Sequence, residues 1–287
     1  MLDVRRLRLL YELSRRGTIA AVGEALHSSP SGVSQQIALL EHEVGVRLLD
    51  KVGRGVRLTE AGRSLVAHTE AVLARLERAE AELAAFEGEP KGRVRVASFQ
   101  TATLALLPEA LDVLAEHNRL RVELAQVEPE QALPALLAHD FDLVLGEEYP
   151  GTPAPVSGEL DRVDLCREPI RLATAGGITL AAAATHAWVM EPRGTAAREW
   201  ATAMCRSAGF EPDVRYESDD LLAHATLAER GHAAAFLPEL VWRGRQPSVP
   251  LTAVPGGERT IFTSARKGSE QHPAIRAVRE ALRRTVH

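Results

Sequence analysis

The chain is expected to fold as an N-terminal winged helix-turn-helix, a long linker helix, and a C-terminal α/β body of two halves. Three observations predict this. Within residues 18–62, two short helical patterns meet at a tight polar turn, and a Gly-Arg-Gly hairpin follows. The run from 59 to 86 has no proline and a single glycine, Gly62. From residue 93 onward, strand-like apolar runs interleave with helical patterns, which implies an α/β domain with parallel strands.

The head is read residue by residue. Ile19, Val22 and Leu26 repeat at helical spacing behind Thr18, a suitable N-cap. Residues 26–29 end that helix and start the next, with Ser29 as N-cap and Pro30 at the first helical position. Val33, Ile37, Leu40 and Val44 form an apolar stripe, and Gly45 ends the helix. The opposite face carries Ser31, Ser34, Gln35 and Gln36, neutral donors and acceptors with the reach for base edges. Glutamine matches adenine with two hydrogen bonds. Residues 46–49 and 56–58 read as two short strands, with Gly53-Arg54-Gly55 at their tip. Arg54 is placed there to meet phosphate or a narrow minor groove. This layout puts one helix in the DNA major groove. The expected DNA-contacting set is Ser29, Pro30, Ser31, Ser34, Gln35, Gln36 and Arg54. A structural three-helix module with solvated glutamines is the plainer alternative. The wing and the helix after it favour DNA.

These residues resemble the LysR-type transcriptional regulators. The matching positions include Ala20-Ala21, Ala25-Leu26-His27, Ser29, Val33-Ser34, Gln36-Ile37, Leu40-Glu41, Gly45-Val46, Leu48-Leu49, Arg54-Gly55-Val56, Leu58-Thr59 and Ala61-Gly62. The resemblance covers the whole head and continues more loosely to the C-terminus. Pro30-Ser31 stands where family members usually have Gln-Pro, and Gln35 where many have arginine. The base preferred at each half-site is therefore expected to differ from the family norm. The resemblance implies a regulator that binds an operator in double-stranded DNA and senses a small-molecule effector. It also implies a homodimer or homotetramer and RNA polymerase as a partner.

Net charge is −5 over 287 residues, which alone argues against nucleic acid. Its distribution argues otherwise. Residues 1–58 carry +3 and the remainder −8, a modestly basic head on an acidic body. Residues 1–10 hold four charges and no apolar core, so no signal peptide is read there. No apolar run is long enough to span a bilayer. Cys166 and Cys205 give no disulfide framework. A cytoplasmic chain with reduced thiols and no membrane contact is expected.

The linker helix starts at Thr59 as N-cap, with Glu60 favourable in the first turn. Leu65, Thr69, Val72, Leu76, Ala79, Leu83 and Phe86 keep heptad spacing throughout, the pattern of a dimerisation seam. Val66 and Leu73 broaden it. A helix packed only on its own domain is the alternative. A two-fold pair would present two reading helices to two half-sites. Residues 88–92 (Gly-Glu-Pro-Lys-Gly) break the helix and read as a hinge. The expected units are 1–58 (head), 59–87 (linker helix), 88–92 (hinge) and 93–287 (effector-binding body). The body divides into subdomain I, about 93–165 and 255–287, and subdomain II, about 166–254.

In the body, strands are expected at 93–97, 121–127, 142–146, 169–174, 215–217, 233–237 and 260–265. Helices are expected at 104–117, 131–139, 195–208, 219–230 and 273–286. Two such halves resemble the effector domain of LysR regulators, which is similar to periplasmic binding proteins. That resemblance implies two crossings between halves, near 162–169 and 247–259. Residues 231–238 resemble a Gly-x-Gly-(apolar)-Pro signature with Ala233 for the second glycine, and Asn118 replaces a frequent proline. Ligands in such folds sit where strand carboxyl ends meet helix N-termini. The expected effector contacts are Ser98, Gln100, Thr101, Glu147, Arg193 and Ser218, around an anionic or zwitterionic small molecule with Arg193 as counter-charge. Ordinary polar loops are the alternative.

Enzymatic chemistry is not expected. Ten histidines show no metal-ligand spacing, and nothing resembles G-x-S-x-G or a P-loop. The Asp219-Asp220 pair sits at a helix start, where aspartate is common. No metal or cofactor is implied. A redox role for Cys166 and Cys205 is disfavoured, since each falls within a regular element. An enzyme that borrowed a DNA-binding head, or a solute-binding protein, are the competing readings.

Overall fold

The computed structural model describes residues 2–53, 55–154 and 157–286. Its head begins with α1 (Val4–Arg16), whose N-cap Asp3 accepts from the Arg5 N–H at 2.7 Å. Thr18 caps α2 (Ile19–Ala25) and Ser29 caps α3 (Pro30–Val44), accepting from the Ala21 and Gly32 N–H groups. Such caps satisfy donors that a first turn leaves without partners. Gly45 closes α3 in the left-handed region, φ 72°, where a Cβ is costly. Two apolar clusters hold the three helices together. One centres on Leu7, Leu10, Leu40 and Leu48, the other on Leu13, Val22, Val33 and Ile37.

The wing pairs β1 (Leu49–Val52) with β2 (Gly55–Leu58), antiparallel, with Leu49 facing Leu58. The first strand thus begins where the 46–49 expectation ended. The cause is Glu41. Its carboxylate accepts from the Leu48 and Leu49 N–H groups at 2.7 and 3.0 Å, which keeps 46–48 out of the ladder. Arg54 lies outside the described residues.

The linker helix, α4 (Glu60–Ala85), is capped by Thr59 through the Gly62 N–H at 3.0 Å. Gly62 lies so close to the Leu48 carbonyl that a Cβ would collide with it. The seven seam positions do not share one environment. Leu65 packs on the head cluster, and Thr69 is 1% exposed, with its hydroxyl turned to the Leu65 carbonyl. Val72, Leu76, Ala79, Leu83 and Phe86 lie toward solvent, Leu83 at 68% and Phe86 at 89% exposure. The seam therefore belongs to the chain's own fold at its start and is open from Val72 onward. The two ends differ because α1 packs on the first turns of α4.

The body's first half contains β3 (Gly92–Ser98), α5 (Gln100–Ala105), α6 (Leu107–Leu114), β4 (Leu120–Gln126), α7 (Pro129–Leu137) and β5 (Leu143–Glu148). The helix expected at 104–117 is two helices. Pro108 has no N–H to give the Leu104 carbonyl, and the chain turns at Leu106. β6 (Leu160–Ala173) then leads into the second half. That half holds β7 (Ala187–Met190), which the sequence pattern missed, α8 (Ala196–Ser207), β8 (Asp213–Glu217), α9 (Leu221–Glu229) and β9 (Ala235–Pro238). β10 (Leu251–Arg266) returns, and α10 (Pro273–Thr285) closes the first half.

The expectation of parallel strands holds only in part. The main sheet runs β4-β3-β5-β10-β6-β9. β3 is parallel to β4 and β5, but β10 is antiparallel to both β5 and β6, and β9 is antiparallel to β6. β7 and β8 form a separate parallel pair. The segments expected as crossings are themselves long paired strands. β6 and β10 run together from Leu160–Arg266 to Ala173–Leu251, with a register shift between Ala253 and Glu258. Along β6 the core changes from that of the first half at Cys166 to that of the second at Ile170.

The hinge does not hold the head away from the body. The Tyr11 hydroxyl donates to the Leu137 carbonyl and to Glu159, both at 3.2 Å. Arg16 donates to Asp140 and to the Ala138 carbonyl at 2.7 Å. Arg266 on β10 joins Glu77 on α4 at 2.7 Å and also donates to the Leu136 and Phe141 carbonyls. His139, at φ 58°, sits among these groups, where burial and Arg266 lower its pKa to about 3. The corner 136–142 is thus the floor on which α1 and α4 rest.

Candidate functional site

Two surfaces carry the residues singled out in the sequence. The first is the outer face of α3. Ser31, Ser34 and Gln35 are accessible and, at spacings of three and four, lie on one side of the helix. Ser29 is spent on the cap and lies 3.1 Å from the Ser31 hydroxyl. Pro30 is exposed at the helix start. Gln36 is less free than its spacing suggests. It is half-buried, and its Oε1 accepts from Arg6 Nε at 3.1 Å, which ties α3 to α1. Leu39 is exposed beside this face. The accessible set can offer two hydroxyls, one carboxamide and an apolar group to a groove floor.

The second surface is the cleft between the body halves. Its centre is Arg259 on β10, which is 1% exposed. Its guanidinium donates to Glu168 on β6 and to the Thr101 hydroxyl, both at 2.7 Å, pairs with Glu147 on β5, and lies 5.1 Å from the Phe99 ring centre. Glu147 also accepts from the Tyr149 hydroxyl at 3.1 Å. Burial raises the Glu147 carboxyl above its ordinary range although Arg259 pulls it down. Thr101 and Glu147 therefore meet as expected, but around a cation supplied by the chain itself. Arg259 and Glu168 escaped the sequence reading because charges within a strand run are ordinarily solvated.

The other expected contacts separate. Gln100 spans the cleft, donating to Asp220 and accepting from the Leu221 N–H, both at 2.8 Å. Glu130 makes a second bridge by accepting from the Ala196 N–H at 2.9 Å. Ser218 accepts from the Asp220 N–H at the start of α9. Ser98 is fully buried and turned to the adjacent Phe99 carbonyl, so it offers the cleft no free hydroxyl. Arg193 is exposed and lines an outer groove with Arg198, Arg206 and Glu211. It does not line the cavity that lies beside Arg259.

Beside the Arg259 cluster lies a cavity of about 30 Å³. Tyr149, Glu191, Trp200, His224 and Phe236 line it. The His224 Nε2 lies 2.8 Å from the Ser218 carbonyl, and burial lowers its pKa, which keeps the ring neutral. The two thiols sit apart, Cys166 half-buried on β6 and Cys205 buried in α8. Burial raises both, Cys205 to about 12, which leaves little thiolate at neutral pH.

Two family models match the chain. The model for the LysR substrate binding domain matches residues 87–286, and that for the bacterial regulatory helix-turn-helix protein, lysR family, matches residues 4–63. The chain is 26% identical over 282 residues to the transcriptional dual regulator GltC of Bacillus subtilis (strain 168), covering 95% of this chain and 94% of that protein. It is 27% identical over 269 residues to the HTH-type transcriptional regulator ClcR of Pseudomonas putida, covering 92% of each. Among solved structures, a full-length OxyR variant from Pseudomonas aeruginosa superposes with a TM-score of 0.69 at 17% identity, over 99% of this chain and 95% of that one. Full-length CbnR complexed with target DNA superposes with a TM-score of 0.55 at 23% identity, over 99% and 100%.

Proposed function

The chain belongs to the LysR family of DNA-binding transcriptional regulators, and from that premise we propose how its surfaces divide the work. As in that family, the head binds DNA, the body is an effector-binding domain, and the protein is not an enzyme. We read α3 as the helix that enters the major groove, with Ser31, Ser34 and Gln35 reading base edges. Ser29 and Pro30 set its start, and Gln36 fixes its angle through Arg6. Arg54 is assigned to backbone or groove shape on charge alone. The units are 1–58, 59–87, 88–92 and 93–287, as the sequence divides them.

Two chains are proposed to pair along the open part of the α4 seam, from Val72 to Phe86, with a tetramer as a further assembly. The cleft under Gln100 and Glu130 is the effector site, and RNA polymerase is the partner on the promoter. Among the described residues no helix is long and apolar enough to cross a membrane. The cytoplasm, where the DNA is, is the proposed location.

The observation that carries the DNA reading is the polar outer face of a capped helix. Ser29 and Gln36 are engaged within the head, whereas Ser34 and Gln35 are left to the outside. Gln35→Ala tests it. Discrimination at one base position per half-site should fall by about 1–3 kcal/mol while non-specific affinity holds. An unchanged preference in a binding-site selection contradicts direct readout by Gln35.

A further inference from the structure

The cavity beside Arg259 has one acidic wall and, among the described residues, no cationic one. Glu191 is its single charged lining residue, and His224 is neutral. No described residue gives the Glu191 carboxylate a hydrogen bond or an ion pair. Arg198, on its own side, turns to the Glu191 backbone carbonyl at 2.8 Å and to Glu217. Arg259 is committed to Glu147 and Glu168. The Glu128 carboxyl, at the start of α7, is likewise without a partner among the described residues. Burial and the neighbouring carboxylates Glu147 and Glu130 raise it to about 7. Glu191 is raised well above its ordinary value by burial, then by Glu147 and Glu128. Burial and mutual repulsion favour the protonated form of these carboxyls, although Arg259 opposes this.

Three aromatic side chains, Tyr149, Trp200 and Phe236, line the cavity together with aliphatic ones such as Ile170, Met190 and Leu221. The Tyr149 and Trp200 ring centres are 5.6 Å apart, and those of Trp200 and Phe236 are 5.1 Å apart. Trp200 is 3% exposed, yet its Nε1–H has no acceptor among the described residues. A buried indole N–H without an acceptor costs free energy that a bound oxygen would recover. Aromatic faces next to a carboxylate are the surroundings that an ammonium group prefers, through attraction to ring faces and to the counter-ion.

We propose that this cavity binds the ammonium head of a small organic cation or zwitterion, with Glu191 as counter-ion, Tyr149, Trp200 and Phe236 as walls, and the Trp200 N–H as donor to a ligand oxygen. The inference rests on reading the cleft as the effector site, and it selects the amine-bearing class over a simple anion. The space accommodates about two water-sized groups. The head therefore fits with the halves closed, and a longer ligand must part the Gln100 and Glu130 bridges.

The test is calorimetry on the full-length protein at neutral pH, with ethanolamine as cationic probe and glycolate as an anion of matched size. Ethanolamine should bind saturably at millimolar concentration and release protons, seen as an enthalpy that changes with the buffer's ionisation heat. Glycolate should not bind. Glu191→Gln should weaken ethanolamine by about tenfold or more, and its unliganded melting temperature should not fall, since a buried carboxyl is removed. Trp200→Phe keeps an aromatic face, smaller than the indole, and deletes the donor, and it too should weaken binding. Glycolate binding that is lost in Trp200→Phe, with ethanolamine inert, overturns the charge class and leaves the cleft as the effector site. Ethanolamine binding equally well to both variants overturns the proposal and places the ligand outside the cleft. Absence of binding heat from both probes also overturns it.

Discussion

At Arg259 a single buried guanidinium holds Glu147, Glu168 and Thr101, which come from three different elements of the body. Removing one partner of such a cluster is worse than removing the cluster, because the other charges stay buried. Arg259→Met should therefore lower the unfolding free energy by about 3–5 kcal/mol. Adding Glu168→Gln should restore part of the loss. Denaturant midpoints of the two variants check this, and equal midpoints for Arg259→Met and the parent protein contradict it. Glu128 gives a pH signature of its own. Its carboxyl is raised from 4.5 to about 7 in the fold, so the native state holds the proton more tightly than the unfolded chain. The residue costs nothing well below pH 4.5, and its penalty grows as the pH rises toward 7. Glu128→Gln should leave the melting temperature unchanged at low pH and raise it above pH 7. A constant difference across that range would show that Glu128 is solvated.

At the scale of the element, the linker helix faces two ways. Its first turns serve the head, its Glu77 grips the body through Arg266, and its stripe from Val72 to Phe86, proposed to meet a second chain, is open to solvent. Leu76 lies mid-stripe and is exposed within one chain. Leu76→Asp should thus change the stability of the single chain by no more than about 0.5 kcal/mol. Against a second chain, the same charge would be buried without a partner, at a cost of several kcal/mol. Sedimentation should show monomers, and affinity for a full operator should fall because two linked half-sites no longer act together. Dimers that persist with normal operator affinity would mean that the stripe is not the interface. The heptad spacing of α4 was legible from residue 65 to residue 86. Its division between self and second chain was not, because α1 reaches the first turns of α4 only through tertiary packing.

For the whole molecule, local signals carried the head and long-range pairing escaped. Ser29-Pro30, Gly45 and Thr59 act within a turn of their own position, so their caps are readable from neighbouring residues. The pairing of β6 with β10 joins segments far apart in the chain, and both contain charges at positions such as Arg162, Asp164 and Glu258 that read as loop. The cleft was legible as a place, at the ends of β3 and β5, but not as a charge. Four of its groups, Glu128, Glu168, Glu191 and Arg259, come from separate stretches of the chain and become neighbours only in the folded body. The docking of α1 on the 136–142 corner escaped for the same reason, and it gives the body a direct hold on the head that the hinge alone does not suggest.

Paired chains are proposed to read two half-sites through α3. Hydroxyl-radical footprinting on the promoter beside the protein's own gene tests it most directly. Two protected patches are expected on one face of the duplex, separated by whole helical turns of about 10 base pairs. Both should weaken together in Leu76→Asp. Protection of a single half-site by the parent protein, or a footprint that Leu76→Asp leaves intact, would contradict it.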